Sequence, residues 1–148
     1  MNNCPFCKII AGEIPASIVY QDERCLAFMD IQPINPGHVL VSPKEHIEHF
    51  ADLNPALSSH LIQVTQQLAR GLMDSGIESE GFNIFLADGA AAMQEVPHTH
   101  LHIIPRFEGD GFEFQFSPRY FELPTRDELD KNAHFINKAL SDLHSEDQ

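Results

Sequence analysis

The chain has 148 residues, of which 43% are hydrophobic and 21% are charged, as in a globular domain and unlike a disordered chain. Its 22 acidic and 9 basic side chains give a formal net charge of −13. Because nucleic acids and anionic membranes are bound through many basic contacts, we expect neither as a partner. No apolar run approaches the roughly 20 residues needed to cross a bilayer.

The N-terminal residues lack the basic segment and apolar core of a secretory signal, so none is expected. The cysteine count of three is odd, which argues against a disulfide framework. A reducing compartment is the simplest interpretation, and we expect a cytoplasmic protein.

The first predicted element is a short helical turn at residues 5–11, ended by Gly12. Residues 17–20 and 25–29 are apolar runs on either side of Gln-Asp-Glu-Arg and predict a hairpin. A third strand is predicted at residues 39–41, between Pro36-Gly37 and Pro43.

A long helix is predicted next, because Asn54 is a good N-cap and Pro55 suits the first helical position. Gly76 is a plausible end for it. Its apolar residues recur at steps of three and four and predict one buried stripe, formed by Leu57, Leu61, Val64, Leu68 and Leu72.

Residues 82–86 predict a fourth strand and residues 98–104 a fifth, closed by Pro105. Thr125 and Glu128 form a capping box that opens a second helix. The expected fold class is α+β, an antiparallel sheet of about five strands with one long helix. We expect a domain at residues 1–111 and, at residues 112–148, a C-terminal extension with a helix. Its many aromatic side chains predict that it packs on the same domain or on a partner subunit.

Three histidines alternate along the fifth predicted strand: His98, His100 and His102. On a strand they share one face, roughly 6–7 Å apart, while Thr99, Leu101 and Ile103 point to the other face. A solvated polar face is the simple alternative, but such faces usually carry Lys, Glu or Thr. Imidazoles suit metal binding or phosphoryl chemistry near neutral pH.

A nucleophilic histidine needs one unprotonated nitrogen, with the other nitrogen donating to a fixed acceptor. It also needs donors that stabilise the charge on the phosphate in the transition state. The loop at residues 88–94 is rich in small residues and precedes the strand, so its backbone N–H groups and the Gln94 amide are candidates.

With these motifs in place, the sequence resembles the histidine triad family of nucleotide hydrolases and transferases over roughly residues 4–110. The resemblance implies this family's fold and a homodimer. Four stretches carry it in the expected order: Phe6-Cys7-Lys8-Ile9-Ile10-x-Gly12-Glu13-Ile14-Pro15, Pro36-Gly37-His38-Val39-Leu40-Val41-x-Pro43-Lys44-x-His46-Ile47, Gln94-x-Val96 and His98-x-His100-x-His102.

The resemblance assigns the catalytic roles. It implies that His100 attacks the α-phosphorus of a nucleotide to give a covalent nucleotidyl-histidine, which water then releases. It implies that His102 contacts the phosphate and stabilises charge or moves a proton. His38 would line the same site and support the triad, and Gln94 would contact the phosphate or the leaving group.

The resemblance also implies a nucleoside site, with Asp30 on the ribose hydroxyls and with Phe28 and Ile31 against the base. Four positions depart from the family pattern and leave the substrate open: Thr99, Ala87, Met93 and Glu95. Among them, Glu95 would repel an anionic substrate unless it is turned away or paired.

Cys4-x-x-Cys7 has the spacing of half a zinc site. Two free thiols at a chain terminus are the alternative. The resemblance implies that His46 and His98 complete a four-coordinate, structural zinc site, with His49 as the substitute for His46. No organic cofactor is expected. Cys25 lies in an apolar run and is expected in the core.

The leading hypothesis is a hydrolase that cleaves the α-phosphate bond of a dinucleoside polyphosphate or a nucleoside phosphoramidate. The small-molecule nucleotide is then the expected partner, besides the second subunit. A nucleotidyl transferase shares the same intermediate, and a nucleotide-binding regulatory protein with little turnover is a second class. A zinc-stabilised interaction module is the third.

Overall fold

The computed structural model describes residues 3–146, and side chains as far as residue 143. The chain forms two compact units, Met1–Phe112 and Glu113–Gln148. The helices and strands, in chain order, are α1 Pro5–Ile10, β1 Ile18–Gln21, β2 Cys25–Met29, β3 Val39–Pro43, α2 Pro55–Met73, β4 Gly81–Leu86, β5 Leu101–Arg106 and α3 Arg126–Glu146.

The five strands form one antiparallel sheet in the order β1-β2-β3-β5-β4. This confirms the α+β class, the antiparallel sheet of five strands and the long central helix. The first unit also contains the predicted short helix α1.

The long helix α2 starts as its sequence predicts. The Asn54 side chain accepts a hydrogen bond from the Leu57 N–H at 2.9 Å, and Pro55 occupies the first turn. In the apolar stripe, Leu57, Leu61, Val64 and Leu72 are buried and Leu68 is partly buried. Each such leucine contributes about 1.5–3 kcal/mol through removal from water. One face of the sheet packs against this stripe through Val39, Val41, Leu101 and Ile103.

The other face of the sheet holds a second apolar cluster, in which Phe6 of α1 packs over Phe28 and Leu40. Residues directly opposite in an antiparallel pair share a face. Phe28 lies opposite Leu40, and Leu40 lies opposite His102. His102 therefore lies on the sheet face that α1 covers, away from α2.

The fifth strand differs from its prediction in both bounds. It begins at Leu101, so His98 and His100 precede it, and it continues through Pro105 to Arg106. Pairing of β3 with β5 ends at Ile103, and beyond that point β5 pairs with β4 alone. Pro105 has no N–H to donate, but it lies where β5 has a neighbour on one side only. It therefore removes no hydrogen bond between β5 and β3. The expectation that alternate residues point into the core is confirmed for Leu101 and Ile103, which belong to the cluster beneath α2. Thr99 is also buried, and its hydroxyl donates to the Glu48 carbonyl.

The second unit contains a short 3-10 turn, Pro118–Phe121, followed by α3. The predicted capping box is present, since the Glu128 N–H bonds Thr125 Oγ1 and the Thr125 N–H bonds the Glu128 carboxylate. Phe116 and Tyr120 stack with ring centres 4.1 Å apart. The packing of this unit on the domain or on a partner stays a prediction. Among the described residues, we find no helix with the length and apolarity to span a membrane.

Candidate active site and metal centre

The predicted nucleophile, His100, is 5% exposed and lies just before β5. Its Nδ1 is 2.7 Å from the His98 carbonyl oxygen. A carbonyl only accepts, so Nδ1 carries the proton and donates it, and Nε2 keeps its lone pair. Burial lowers the pKa of His100, which keeps the ring neutral. These are the two properties that a nucleophilic imidazole requires.

The neighbouring histidine, His102, has the opposite tautomer, and His38 determines it. The Ile34 N–H donates to His38 Nδ1 at 3.2 Å, so the proton of His38 is on Nε2. His38 Nε2 lies 2.9 Å from His102 Nδ1 and donates to it. His102 then carries its proton on Nε2. Its ring centre lies 4.8 Å from that of His100.

Burial lowers the pKa of His102 to about 4, with further contributions from His100 and His38. Burial also lowers the pKa of His38. The acid that faces this pair is Asp30, whose Oδ2 is 3.6 Å from His38 Nδ1. Asp30 Oδ1 accepts the Gln32 N–H at 2.8 Å. The structure thus brings His100, His102, His38 and Asp30 together as a cluster of neutral imidazoles with one carboxylate.

Two aromatic rings that the sequence did not single out hold these imidazoles. Phe85 of β4 lies directly opposite His102 and stacks on it at 4.5 Å and 8°. Phe6 of α1 contacts His100 edge-on at 5.0 Å and Phe28 at 5.2 Å. The strand pairing of β4 with β5 would have identified Phe85, whereas no sequence signal places Phe6 over His100.

The loop before the triad is tied down by Gln94. The Gln94 side-chain oxygen accepts the Gly89 N–H at 2.7 Å, and its NH2 group donates to the Glu48 carbonyl at 2.9 Å. The predicted contact of Gln94 with phosphate stays a prediction, for which the second hydrogen of the NH2 group is the donor. Met93 has φ +66°, and it and Glu95 are exposed. Ala87 is buried at 3% exposure.

The three predicted nucleoside-binding residues lie in different surroundings. Phe28 is 3% exposed beneath Phe6, whereas Ile31 is 98% exposed. Asp30 follows β2 and faces His38. Their contact with ribose and base stays a prediction.

The four predicted zinc ligands converge on one point: Cys4, Cys7, His46 and His98. His98 Nε2 donates to the Pro43 carbonyl at 2.9 Å, which leaves Nδ1 as a lone pair directed at the cysteines. His98 Nδ1 lies 3.4 Å from Cys4 Sγ and 3.7 Å from Cys7 Sγ. His46 Nδ1 lies 3.3 Å from Cys7 Sγ and 3.4 Å from His98 Nδ1.

These separations fit a tetrahedral zinc ion. Zn–N bonds of about 2.0–2.1 Å and Zn–S bonds of about 2.3 Å place tetrahedral ligand atoms roughly 3.4 Å (N···N) and roughly 3.6 Å (N···S) apart. Two cysteines and two histidines leave no open position, as in structural sites. His49, the substitute ligand, instead bonds Asp88 at 2.7 Å. Cys25 is fully buried, as predicted.

Comparison with known proteins decides the family. The family model described as HIT domain matches residues 11–109. The chain belongs to the HIT family. An uncharacterized HIT-like protein of Methanocaldococcus jannaschii is 48% identical over 113 residues, which cover 76% of this chain and 86% of that protein.

Two relatives carry names that state an activity. The adenylylsulfatase HINT3 of Arabidopsis thaliana is 33% identical over 145 residues, 98% of this chain and 73% of the relative. The adenosine 5'-monophosphoramidase HNT1 of Candida albicans is 36% identical over 107 residues, 70% of each chain.

The fold is shared with solved structures of the family. A HIT family member from Bacillus subtilis has a TM-score of 0.83 and 39% identity, over 92% of this chain and 96% of that chain. A zinc-bound histidine triad family protein from Mycobacterium smegmatis has a TM-score of 0.72 and 38% identity, over 97% of both chains.

Proposed function

We propose that this protein is a nucleotide hydrolase that cleaves the P–N bond of a nucleoside phosphoramidate through a covalent nucleotidyl-His100. The observation that carries the proposal is the pair of opposite tautomers on neighbouring imidazoles. His100 offers a lone pair at Nε2, and His102 offers an N–H at Nε2, with their rings 4.8 Å apart. A nucleophile beside a proton donor suits displacement at phosphorus.

In the first step, His100 Nε2 forms a bond to the α-phosphorus, and the P–N bond breaks with its electron pair going to nitrogen. The leaving amine needs a proton. Because the anionic substrate favours charge on nearby imidazoles, the His38–His102 pair takes up one proton on binding. The added proton then lies on His38 Nδ1, facing Asp30, in place of the hydrogen bond from the Ile34 N–H. The proton of His38 Nε2 passes to His102 Nδ1, so His102 is protonated on both nitrogens. His102 Nε2 delivers its proton to the amine.

In the second step, the nucleotidyl-histidine is hydrolysed. After delivering its proton, His102 keeps the proton on Nδ1 and has a lone pair on Nε2. His102 Nε2 now accepts a proton from water as the water oxygen bonds phosphorus and the P–N bond to His100 breaks. Nucleoside monophosphate leaves and the pair releases one proton. The same nitrogen serves as acid in one step and base in the next.

The local charge favours a phosphoramidate over a dinucleoside polyphosphate. A polyphosphate leaving group carries several negative charges and needs cations nearby. The basic residue nearest the triad in sequence, Arg106, is bonded to Asp110, Asn83 and the Phe112 carbonyl. The charged side chain that acts on His100 and His102 is the acid Asp30. An amine leaves without that charge, and a relative named as a monophosphoramidase supports this choice.

The nucleoside end is proposed at Asp30, Phe28 and Ile31, with Gln94 at the phosphate. We also propose that zinc fills the Cys4, Cys7, His46 and His98 cluster, where it would cross-link α1 to the segment before β5. Its closed ligand set gives it a structural role. We also propose that the protein acts in the cytoplasm and that it forms a homodimer. Light scattering on the purified protein would test the homodimer.

The test is turnover of adenosine 5'-phosphoramidate together with capture of an acid-labile nucleotidyl adduct on rapid quenching. His100→Ala removes the attacking nitrogen and should abolish both signals, while the chain still folds and keeps its zinc; the cavity left by the buried ring lowers the unfolding transition, so the assay is run below it. His134→Ala, a histidine of α3, is the matched control and should retain activity. Normal turnover by His100→Ala would refute the mechanism. Binding of nucleotide without turnover by the native chain would instead support a regulatory protein.

An acceptor-dependent product would indicate a transferase. Zinc retention with no nucleotide binding would indicate an interaction module. Faster turnover of a dinucleoside polyphosphate than of the phosphoramidate would refute the proposed leaving group while leaving His100 as the nucleophile.

A further inference from the structure

The turn before β3 is anchored by a buried amide that the proposed mechanism does not use. Asn35 is 5% exposed. Its side-chain NH2 group donates both of its hydrogens, one to the Pro105 carbonyl and one to Asp110 Oδ2, each at 2.8 Å. The side chain thus joins the turn to β5 and to the turn after β5.

The partner of this amide is a fixed carboxylate. The Asp110 side chain is 3% exposed and receives hydrogen bonds from Arg106, from the Phe112 N–H and from Asn35. The Arg106 guanidinium holds the pKa of Asp110 well below its usual range. Arg106 also bonds Asn83 of β4, so the cluster spans both strands at this end of the sheet.

The same turn wraps around His38. The Asn35 carbonyl accepts the His38 N–H at 3.1 Å, and the Ile34 N–H donates to His38 Nδ1 at 3.2 Å. The second bond determines which nitrogen of His38 carries the proton, and hence which nitrogen of His102 does. Asn35 stands directly after the residue that makes this bond.

We propose that Asn35, held by Asp110 and Arg106, is a positioning residue that sets the tautomers of His38 and His102. It acts by fixing the Ile34 N–H against His38 Nδ1. Without this anchor the turn can move, and His38 can place its proton on Nδ1, facing Asp30 at 3.6 Å. In the substrate-free protein, His102 would then carry its proton on Nδ1 and offer no N–H at Nε2 to an incoming substrate. The inference rests on the proposed function for its catalytic consequence, but not for its structural content.

The experiment reads the tautomers directly in the substrate-free protein. Two-bond 1H–15N correlations of 15N-histidine-labelled protein distinguish Nδ1–H from Nε2–H rings. In the native chain, His38 and His102 should both carry the proton on Nε2. Asn35→Leu keeps a similar volume but removes both donated hydrogen bonds. We expect it to populate the Nδ1–H form of His38.

Two further variants complete the test. Asp110→Asn is the second disruption, because it puts an NH2 group among the donors that now bond the carboxylate, and it decides the outcome if Asn35→Leu does not fold. Thr65→Val is the matched control, because it removes a buried side-chain bond to the Leu61 carbonyl on the α2 side of the sheet. It should leave both tautomers unchanged.

Native tautomers at His38 and His102 in a folded Asn35→Leu or Asp110→Asn protein would overturn the proposal, as would Nδ1–H forms in the native chain. Because the spectra need no substrate, a native protein that hydrolyses no nucleotide would refute the proposed function alone. The two failures are therefore distinguishable.

Discussion

Gly37 precedes His38, and its replacement tests how strictly the fold positions that histidine. Its φ of +88° belongs to the left-handed region, where a Cβ costs about 1–2 kcal/mol. A Cβ there would also lie 3.0 Å from Ile77 Cγ2 and 3.1 Å from Pro105 Cγ. Overpacking of this kind costs about 1–3 kcal/mol. Gly37→Ala should therefore lower the free energy of unfolding by about 2–5 kcal/mol.

Gly76 offers a matched control, since its φ is +79° but a Cβ would meet nothing within 4 Å. Gly76→Ala should cost only the backbone contribution, about 1–2 kcal/mol. The lower entropy of the unfolded alanine variants offsets both values equally. The difference between the two variants, about 1–3 kcal/mol, isolates the contact with Ile77 and Pro105.

Equilibrium urea unfolding followed by circular dichroism measures both values, and an unchanged slope shows that the unfolded states are comparable. If Gly37→Ala costs no more than Gly76→Ala, the packing argument is wrong. We also expect only Gly37→Ala to lower kcat, because His38 is the next residue.

Three other outcomes are expected. Met93→Gly should raise the free energy of unfolding by up to about 1 kcal/mol, because glycine adopts φ +66° without strain; Met93→Ala should bring no such gain in urea unfolding. Cys7→Ser, or a strong chelator, should remove zinc as measured by atomic emission and lower the melting temperature, whereas Cys25→Ser should keep the zinc. Burial lowers the pKa of His102 from 6.5 to about 4, so between these pH values the unfolded chain binds more protons than the folded one. The urea midpoint should therefore fall as pH is lowered through this range, and His102→Phe should flatten the dependence.

Most of the fold follows from local patterns. The periodic apolar residues predict the buried side of α2, and Asn54-Pro55 predicts where the helix starts. The structure has both features. The bounds of β5 were less predictable, because proline at position 105 predicts an end. Only the termination of β3–β5 pairing at Ile103 shows why the strand continues.

The site was predictable as a set of residues but not as a set of contacts. Spacing and family resemblance select His38, His100 and His102, yet neither indicates that the Ile34 N–H determines the tautomer of His38. Asn35 bonds Asp110 and Phe85 stacks on His102, and in each pair the two residues are distant in sequence. Such partners depend on sheet order and on the turn after β5, which no local pattern encodes.

The triad shows how one sequence repeat can yield separate chemistries. His98 and His100 are two residues apart, but they use opposite ring nitrogens to bond the backbone. His98 donates from Nε2 to the Pro43 carbonyl and directs Nδ1 at two cysteines, whereas His100 donates from Nδ1 to the His98 carbonyl and keeps the lone pair on Nε2. Because the accepting carbonyl of His98 belongs to a proposed zinc ligand, the orientation of the nucleophile depends on that segment being held. Loss of zinc should therefore reduce turnover even though the four zinc ligands are not among the residues proposed to contact the substrate, and adding zinc back to Cys4→Ser protein should not recover it.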